Sequence, residues 1–565
     1  MARPQHATAM LCLLLFQTAA AGLPPATPGG AVGPRAVGRG AKAPASMSNV
    51  APLLSFGRRS MEAAEVEREA RRLAAARSAM AAEDLADGLS PSLGSLIARA
   101  WWLSVVFAPV YGTCGLAWLL PAFRRRVWYR LLTSCLGASG ACFVKWAQWS
   151  ATRSDLFPDA LCAELGGLQA DAPRHGWSHT RCLVEAAVGC RVEDYFEAFE
   201  RRPIASGSIA QVHRASRRGV DVAVKVRHPR VAFQMRVDSR LMVLGARCVE
   251  ALPGLRGLRL SDTVRQFSAS LAQQSRLDRE ADALRTFERN FRGWHDVNFP
   301  RPLLATPGVI VESFARGTLV NGLARDAKVR GDLTPRERRN GAHLVNRGED
   351  IYLKMLLEDK LMHADLHPGN LLLDDRGGAR RINVVDAGMV AVLSDDECEA
   401  FVGLIEALGA ADAAAAARCV RRFDPANDVE MSDDAKRAFD ADVAALFATS
   451  CRGYGTGVDF GEVVRGVLTL IRAHRVRISA VYATLIINAL CLDGMAGDLL
   501  PGYSVLDGAR PLLSTHRWLV SDRGAPRRTA WWRPRLGPAL FRRVCLPVAW
   551  RLKKIHDARV KRGIM

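Results

Sequence analysis

Four short stretches of this 565-residue chain carry residue types suited to handling a metal-bound phosphate. The octapeptide His363-Ala364-Asp365-Leu366-His367-Pro368-Gly369-Asn370 sets an Asp five residues before an Asn. A carboxylate there can orient or deprotonate a nucleophile, and the amide can ligate a metal. Further on, the apolar run Ile382–Val385 delivers Asp386, followed by Ala387 and Gly388, placed to hold magnesium across phosphates. Upstream, Val222-Ala223-Val224-Lys225-Val226 alternates like a strand and carries a lysine among apolar residues. Burying a lone ammonium is costly, so Lys225 calls for an anionic partner. Before it, Pro203–His213 is rich in small residues, and Ala205, Ser206, Gly207 and Ser208 would let backbone N–H groups approach phosphate oxygens. The loop alone reads as a hairpin turn, and Asp-x-Gly alone is a common turn. The octapeptide gives the set its specificity.

Such residues need two lobes around a cleft to bring them together. The order loop, Lys, Asp…Asn, Asp parallels the protein-kinase signature of small-residue loop, V-A-I-K lysine, H-R-D-L-x-x-x-N and D-F-G. The fold class expected is therefore α+β and bilobal: a mainly β N-lobe over 201–316 and a mainly α C-lobe over 317–515. Val309–Ser313 fits the last N-lobe strand running into the hinge, with Glu312 among the nucleotide-contacting residues. Ile478–Leu492, apolar for fifteen residues, is short for a membrane span and reads as a buried helix. ATP or ADP with Mg2+ is the cofactor set that these residues imply.

The formal net charge of +21 points to a polyanionic partner. With 7% aromatic residues and no nucleic-acid-binding motif, a membrane is preferred to nucleic acid. Residues 516–565 hold fourteen Lys or Arg against two Asp, interleaved with Trp518, Trp531, Trp532 and Trp550, a mixture suited to headgroups or to a solvated basic tail. Thirteen cysteines, an odd number without a C-x-x-C pair, argue against a disulfide framework and a structural zinc site, and point to a reducing space. No acidic residue precedes Glu62, so 1–60 reads as a targeting segment, followed by a polar helix or linker over 61–95. Trp101–Leu120 is free of charge for twenty residues, long enough for a span or an in-plane anchor, and 96–127 is read as membrane-associated.

Two further segments carry a family resemblance. Lys145-Trp146-Ala147-Gln148-Trp149-Ser150-Ala151-Thr152-Arg153-Ser154-Asp155-Leu156-Phe157-Pro158 resembles the K-x-G-Q-x-x-S-T-R-x-D-L-x-P signature of the UbiB/ADCK (aarF-domain) atypical kinases. Glu164–Gln169 continues it, and Gln211-Val212-His213 after the phosphate loop is a second mark. The similarity runs from about Gly137 to Leu513 and looks closest to the mitochondrial ADCK-two-like branch. It implies an N-terminal helical extension, here 128–200, folded over the active site. By the same resemblance Lys145 and Gln148 lie near the nucleotide, Lys225 contacts phosphates, Asp365 is catalytic, and Asn370 with Asp386 binds magnesium. It further implies support of ubiquinone or other prenyl-lipid metabolism on a matrix-facing mitochondrial inner membrane, or alternatively in a plastid. The partners implied are a prenyl or anionic lipid, with lipid-biosynthesis enzymes as further candidates.

The chain departs from the pattern in three places. Ala147 replaces the signature Gly, Gly207 replaces an Ala of the phosphate loop, and Gln274-Ser275-Arg276 stands where many members carry Glu-x-Asp. Either Glu280 pairs with Lys225, or the site is weakened into a nucleotide-binding scaffold. A small-molecule kinase shares H-x-D-x-x-x-x-N but lacks the Lys145 signature.

Overall fold

The computed structural model describes residues 91–151, 157–168, 174–251, 260–323 and 333–519, with Val548, Trp550 and Lys553. The targeting segment, most of 61–95, Thr152–Leu156 and Gln169 of the signature, and most of the basic tail lie outside the described residues.

The chain opens with helix α1 (Leu93–Gly112), N-capped by Ser92, whose hydroxyl accepts from the Ser95 N–H at 3.2 Å. α1 carries Pro109, which has no N–H to donate, and stops at Thr113, whose φ of −104° and ψ of 2° leave the helix. A six-residue helix, Cys114–Leu119, follows. The charge-free stretch 101–120 thus turns at Thr113 rather than running as one unbroken helix. α1 itself is long and apolar enough to cross a membrane, but its Leu103, Phe107 and Val110 are buried against protein.

Helices α2 (Tyr129–Ala138), α3 (Ala141–Ala151) and α4 (Asp159–Gly166) continue this layer. α5 (Trp177–Val188) leaves it and covers the outer face of the N-lobe sheet. That sheet has the strand order β1-β3-β4-β7-β6, from β1 (Ala198–Phe199), β3 (Ala210–Arg217), β4 (Val220–Arg227), β6 (Pro302–Ala305) and β7 (Val309–Ser313). The short β2 (Ala205–Ser206) pairs with β3. Strand alternation sends Val222, Val224, Val226, Val309 and Val311 outward onto Leu183, Val184 and Phe196, and leaves Lys225 and Glu312 on the opposite face.

After β4 come α6 (Val231–Glu250), α7 (Leu260–Gln274) and α8 (Leu277–Asn290). α6 and α7 pack into the helical layer. Met235, Leu241 and Phe267 join Leu103, Phe107, Trp128 and Phe143 in one core, and Arg99 reaches Asp238 at 2.7 Å in a buried ion pair. The helical layer is therefore built from 93–168 together with 231–274, while α5 belongs with the sheet. The extension read as 128–200 is divided between the two. Its boundary was drawn from a local signature, which holds no information about which later helices supply the opposite apolar face.

The remaining core gathers α8 and the C-lobe. α8 buries Leu277, Glu280, Ala281, Leu284 and Phe287, the three-and-four spacing of one helix face. A parallel contact of β5 (Val297–Asn298) with β11 (Arg381–Val384) and antiparallel contacts of β11 with β10 (Leu371–Asp374) and of β10 with β8 (Thr318–Leu319) form a small sheet. β9 (Leu361–His363) pairs with β12 (Val390–Val392). Around these lie α9 (Pro335–Lys354) and α10 (Asp395–Gly409), each begun by a capping box, then α11 (Ala480–Leu499) and α12 (Val505–Leu519). The apolar run 478–492 lies almost wholly within α11, with Leu485, Ile486 and Ala489 buried. From the basic tail, Trp550 packs edge-on against Trp294, and the Lys553 ammonium is buried 3.0 Å from Asp350. At those two positions the tail docks on the C-lobe.

Candidate active site

The loop between β2 and β3 is closed by the Gly207 N–H donating to the Ala210 carbonyl at 2.9 Å and by Ser206 pairing with Gln211. The backbone N–H groups of Ser208 and Ile209 make no backbone hydrogen bond among the described residues. The Ser206 hydroxyl is buried with no partner. Unoccupied donors in a small-residue turn suit phosphate oxygens.

On the cleft face of β4, Lys225 lies 2.5 Å from Glu280 of α8 and 3.7 Å from Glu312 of β7. Glu280 therefore makes the ion pair left open by Gln274-Ser275-Arg276. Glu312, expected among the nucleotide-contacting residues, turns one carboxylate oxygen to Lys225. The strand register explains this: Glu312 is opposite Ala223, so its side chain shares a face with Lys225. Burial works against the Lys225 charge, but Glu280, Glu312 and Asp386 outweigh it and hold the ammonium protonated. Burial raises Glu280 to about 7, opposed by Lys225 and reinforced by Asp386 and Glu312. Burial also raises Glu312.

Below this cluster, Asp365, Asn370 and Asp386 form one hydrogen-bonded unit through His363. The Asp365 N–H donates to His363 Nδ1 at 3.2 Å, and His363 Nε2–H donates to the Asp386 carbonyl at 2.8 Å. Asn370 Nδ2 donates to the Asp365 carbonyl at 2.9 Å, and the Val385 N–H returns to the Asn370 carbonyl at 2.9 Å. Asp386 sits at φ +65°, a left-handed conformation that costs energy for a non-glycine residue and clusters at functional sites. Its Oδ1 accepts from the Gly388 N–H at 3.1 Å. Burial would raise its carboxyl, but Lys225 and Lys145 outweigh this and bring it down to about 2. The Asp365 carboxylate is part-exposed, 3.6 Å from His367 Nε2.

Lys145 comes from α3, which is held by Phe143 and Ala147 in the helical core and by Trp146 and Trp149 against Phe267. Its charge reaches Asp386. Gln148 lies one turn further on, half-buried. Ala147 is fully buried, so its methyl is accommodated where the signature has Gly.

Sequence reasoning missed Asn488. From α11 its Nδ2 donates to the His363 carbonyl at 2.6 Å and its Oδ1 accepts from the Leu366 N–H at 3.3 Å, clamping the catalytic loop. The available signal was a lone amide inside the apolar run 478–492.

The donor set fits magnesium with a nucleotide. With Asn370 Nδ2 engaged and one Asp386 oxygen taken by Gly388, Asn370 Oδ1 and Asp386 Oδ2 are the two hard oxygen ligands offered. No group of three His, Cys, Asp or Glu with metal-holding geometry occurs among the described residues, so phosphate oxygens would complete the shell. Glu280, Glu312 and Asp386 against Lys225 and Lys145 leave one negative charge in excess when all are ionised, which suits a divalent cation.

Residues 167–420 match the family described as the ABC1 atypical kinase-like domain. Over 458 residues the chain is 26% identical to "Probable serine/threonine-protein kinase abkC" of Dictyostelium discoideum, covering 69% of this chain and 65% of that protein, just under two thirds of its length. It is 26% identical over 457 residues to a mitochondrial ABC1 family protein of Saccharomyces cerevisiae, covering 68% of each. With "Probable protein kinase UbiB" of Pseudomonas aeruginosa it shares 27% identity over 423 residues, 74% of this chain and 76% of that one. Residues 167–420 carry an ABC1 atypical kinase-like domain, and the chain is similar to the UbiB/ABC1 proteins.

Proposed function

We propose that this chain is a magnesium-dependent atypical kinase or ATPase that supports ubiquinone or other prenyl-lipid metabolism at an organelle membrane. The observation that carries the reading is the single hydrogen-bonded unit of Asp365, Asn370 and Asp386 set beneath the Lys225 ammonium. In this reading Lys225 attracts the nucleotide phosphates, and the Ser208 and Ile209 N–H groups orient them. Asp365, the exposed carboxylate, aligns the attacking hydroxyl or water and accepts its proton. Magnesium, when bound, neutralises phosphate charge at Asn370 and Asp386. Lys145 adds a second cation from the helical layer. The Lys225–Glu280 contact supports this reading over the alternative of a non-catalytic scaffold, which the Gln274-Ser275-Arg276 departure had favoured.

The test is magnesium-dependent ATP turnover by the full chain. Asp386→Asn keeps the left-handed backbone, which Asn tolerates, and should lower turnover by about a hundredfold or more, since charge placement supplies most of phosphoryl-transfer catalysis. Turnover equal to wild type in that variant sinks the proposal.

A lipid surface is the partner that best fits the helical layer. Trp101, Val105, Leu116, Trp118 and Leu119 are exposed, and Arg125 and Arg126 follow them with their side chains exposed. Apolar and aromatic side chains beside cations suit an anionic headgroup layer. The yeast relatives named mitochondrial support a mitochondrial site over a plastid; a matrix-facing inner membrane is implied by the family resemblance alone. Co-sedimentation with vesicles containing anionic lipid should fall at least severalfold in a Trp101→Glu, Trp118→Glu double variant, and unchanged binding would discard this face.

A further inference from the structure

Behind the phosphate loop, on the side of the sheet away from the cleft, lies a buried chain of imidazoles and amides that the mechanism above does not use. His228, just past β4, grips the loop twice. Its backbone N–H donates to the Ile209 carbonyl at 2.8 Å, and its Nε2 lies 2.9 Å from the Gly207 carbonyl. A carbonyl only accepts, so His228 carries a proton on Nε2, and in the neutral ring that burial favours its Nδ1 is bare. His228 Nδ1 faces His175 Nδ1 at 2.7 Å, which places the His175 proton on Nδ1 and leaves its Nε2 bare. That nitrogen accepts from the Thr180 hydroxyl at 2.9 Å, and the Thr180 oxygen accepts from Gln211 Nε2 at 3.2 Å.

The same Gln211 amide donates to His213 Nε2 at 3.0 Å, and its Oε1 accepts from the His175 N–H at 3.1 Å. His213 Nδ1 then donates to the Glu200 carbonyl at 2.8 Å. Every donor meets an acceptor, and every ring has one assignment. With His175, His213 and His228 all neutral, the chain closes without a donor facing a donor. Burial, with His179 and other neighbouring histidines adding to it, lowers His175 to about 3. Burial also lowers His213 and His228, against the pull of the carbonyls they donate to.

We propose that His228, held in one tautomer by His175, Thr180 and Gln211, is a positioning residue for the phosphate loop, fixing the Gly207 and Ile209 carbonyls so that the Ser208 and Ile209 N–H groups face the nucleotide. The link to nucleotide rests on the function proposed above, but the fixing of the loop does not. The two amide replacements of His228 divide its roles. Gln carries a donor at the distance of Nε2 and can keep the Gly207 bond. Asn carries an acceptor at the distance of Nδ1 and can keep His175 but cannot reach Gly207.

The experiment measures Mg-ATP binding and amide hydrogen exchange of residues 205–211 in the full chain, for wild type, His228→Gln and His228→Asn. The expected result is loop exchange in the Asn variant about tenfold faster than in wild type, with the Gln variant near wild type. Affinity should follow in the same order, with about a tenfold rise in Kd for the Asn variant. Equal behaviour of the two variants, whether both near wild type or both impaired, overturns the proposal. If wild type binds no nucleotide, the functional reading fails while the exchange comparison still decides the positioning role. Should neither His228 variant fold, the near-isosteric Thr180→Val cuts the chain two bonds from the loop. It should speed loop exchange about threefold without unfolding the sheet, and an unchanged rate would overturn the proposal.

Discussion

Replacing Lys225 with Met interrogates the charge cluster without altering any carboxylate. The ammonium lies 2.5 Å from Glu280 and 3.7 Å from Glu312, and all three side chains are largely buried. Removing one partner of a buried pair costs about 3–5 kcal/mol, because the charge left behind lacks compensation. The carboxyls can escape that cost by taking up a proton. Glu280 and Glu312 are already raised by burial, with Lys225 pulling them down. Without it both rise further, and Asp386, for which Lys225 is the main opponent of burial, rises as well. A carboxyl whose folded pKa lies above its unfolded value contributes stability that is present at low pH and lost as pH rises through the folded value. The deficit of the variant must therefore grow from pH 5.5 to pH 8.5. In a chain of 565 residues it corresponds to a fall in Tm of about 2.5–4 °C at the alkaline end, and under half of that at the acid end. Thermal unfolding of nucleotide-free wild type and variant at the two pH values reads the difference directly. A deficit that stays constant with pH would refute the convergence of three carboxylates on one lysine.

Asn488→Leu should cost about 1–3 kcal/mol for each of the two buried backbone groups it leaves without a partner, the His363 carbonyl and the Leu366 N–H, and should slow turnover with it; a Tm within 1 °C of wild type would show that Asn488 is not a clamp. Gly207→Ala should fold normally, because a Cβ there meets only the Ala210 carbonyl oxygen at 3.5 Å and the backbone is outside the positive-φ region. A small gain of about 0.4–1 kcal/mol is expected from the stiffer unfolded chain, and a loss of several degrees in Tm would contradict the loop geometry.

Much of the cleft could be read from the sequence because its chemistry is local. Asp365 and Asn370 sit on one loop, and Asp386 ends the strand that pairs with the one leaving that loop, so the octapeptide and the Asp-x-Gly nearly dictate their own meeting. Glu280 was harder. Its spacing along α8 marks it as a core position among Leu277, Ala281 and Leu284, but only the docking of α8 reveals that it ends at Lys225. The approach of Glu312 to Lys225 depends on strand register, and a shift of one residue would have pointed it away. The break at Thr113 follows from backbone angles that an unbroken apolar run does not encode. The imidazole chain depends on four separate stretches meeting behind the sheet, which no spacing announces.

The ion pair of Arg99 with Asp238 spans 139 residues of chain. Half of the helical layer is therefore synthesised before the strands, and the other half only after β4. A nascent or truncated chain ending ahead of Val231 would present the core of Leu103, Phe107 and Phe143 without Met235, Leu241 and Phe267, which complete it. Non-local closure of this kind is slow and leaves sticky intermediates. Fragments cut between the amino-terminal helices and the rest of the molecule should be insoluble, whereas a boundary beyond α7 leaves that layer with its complete complement of partners.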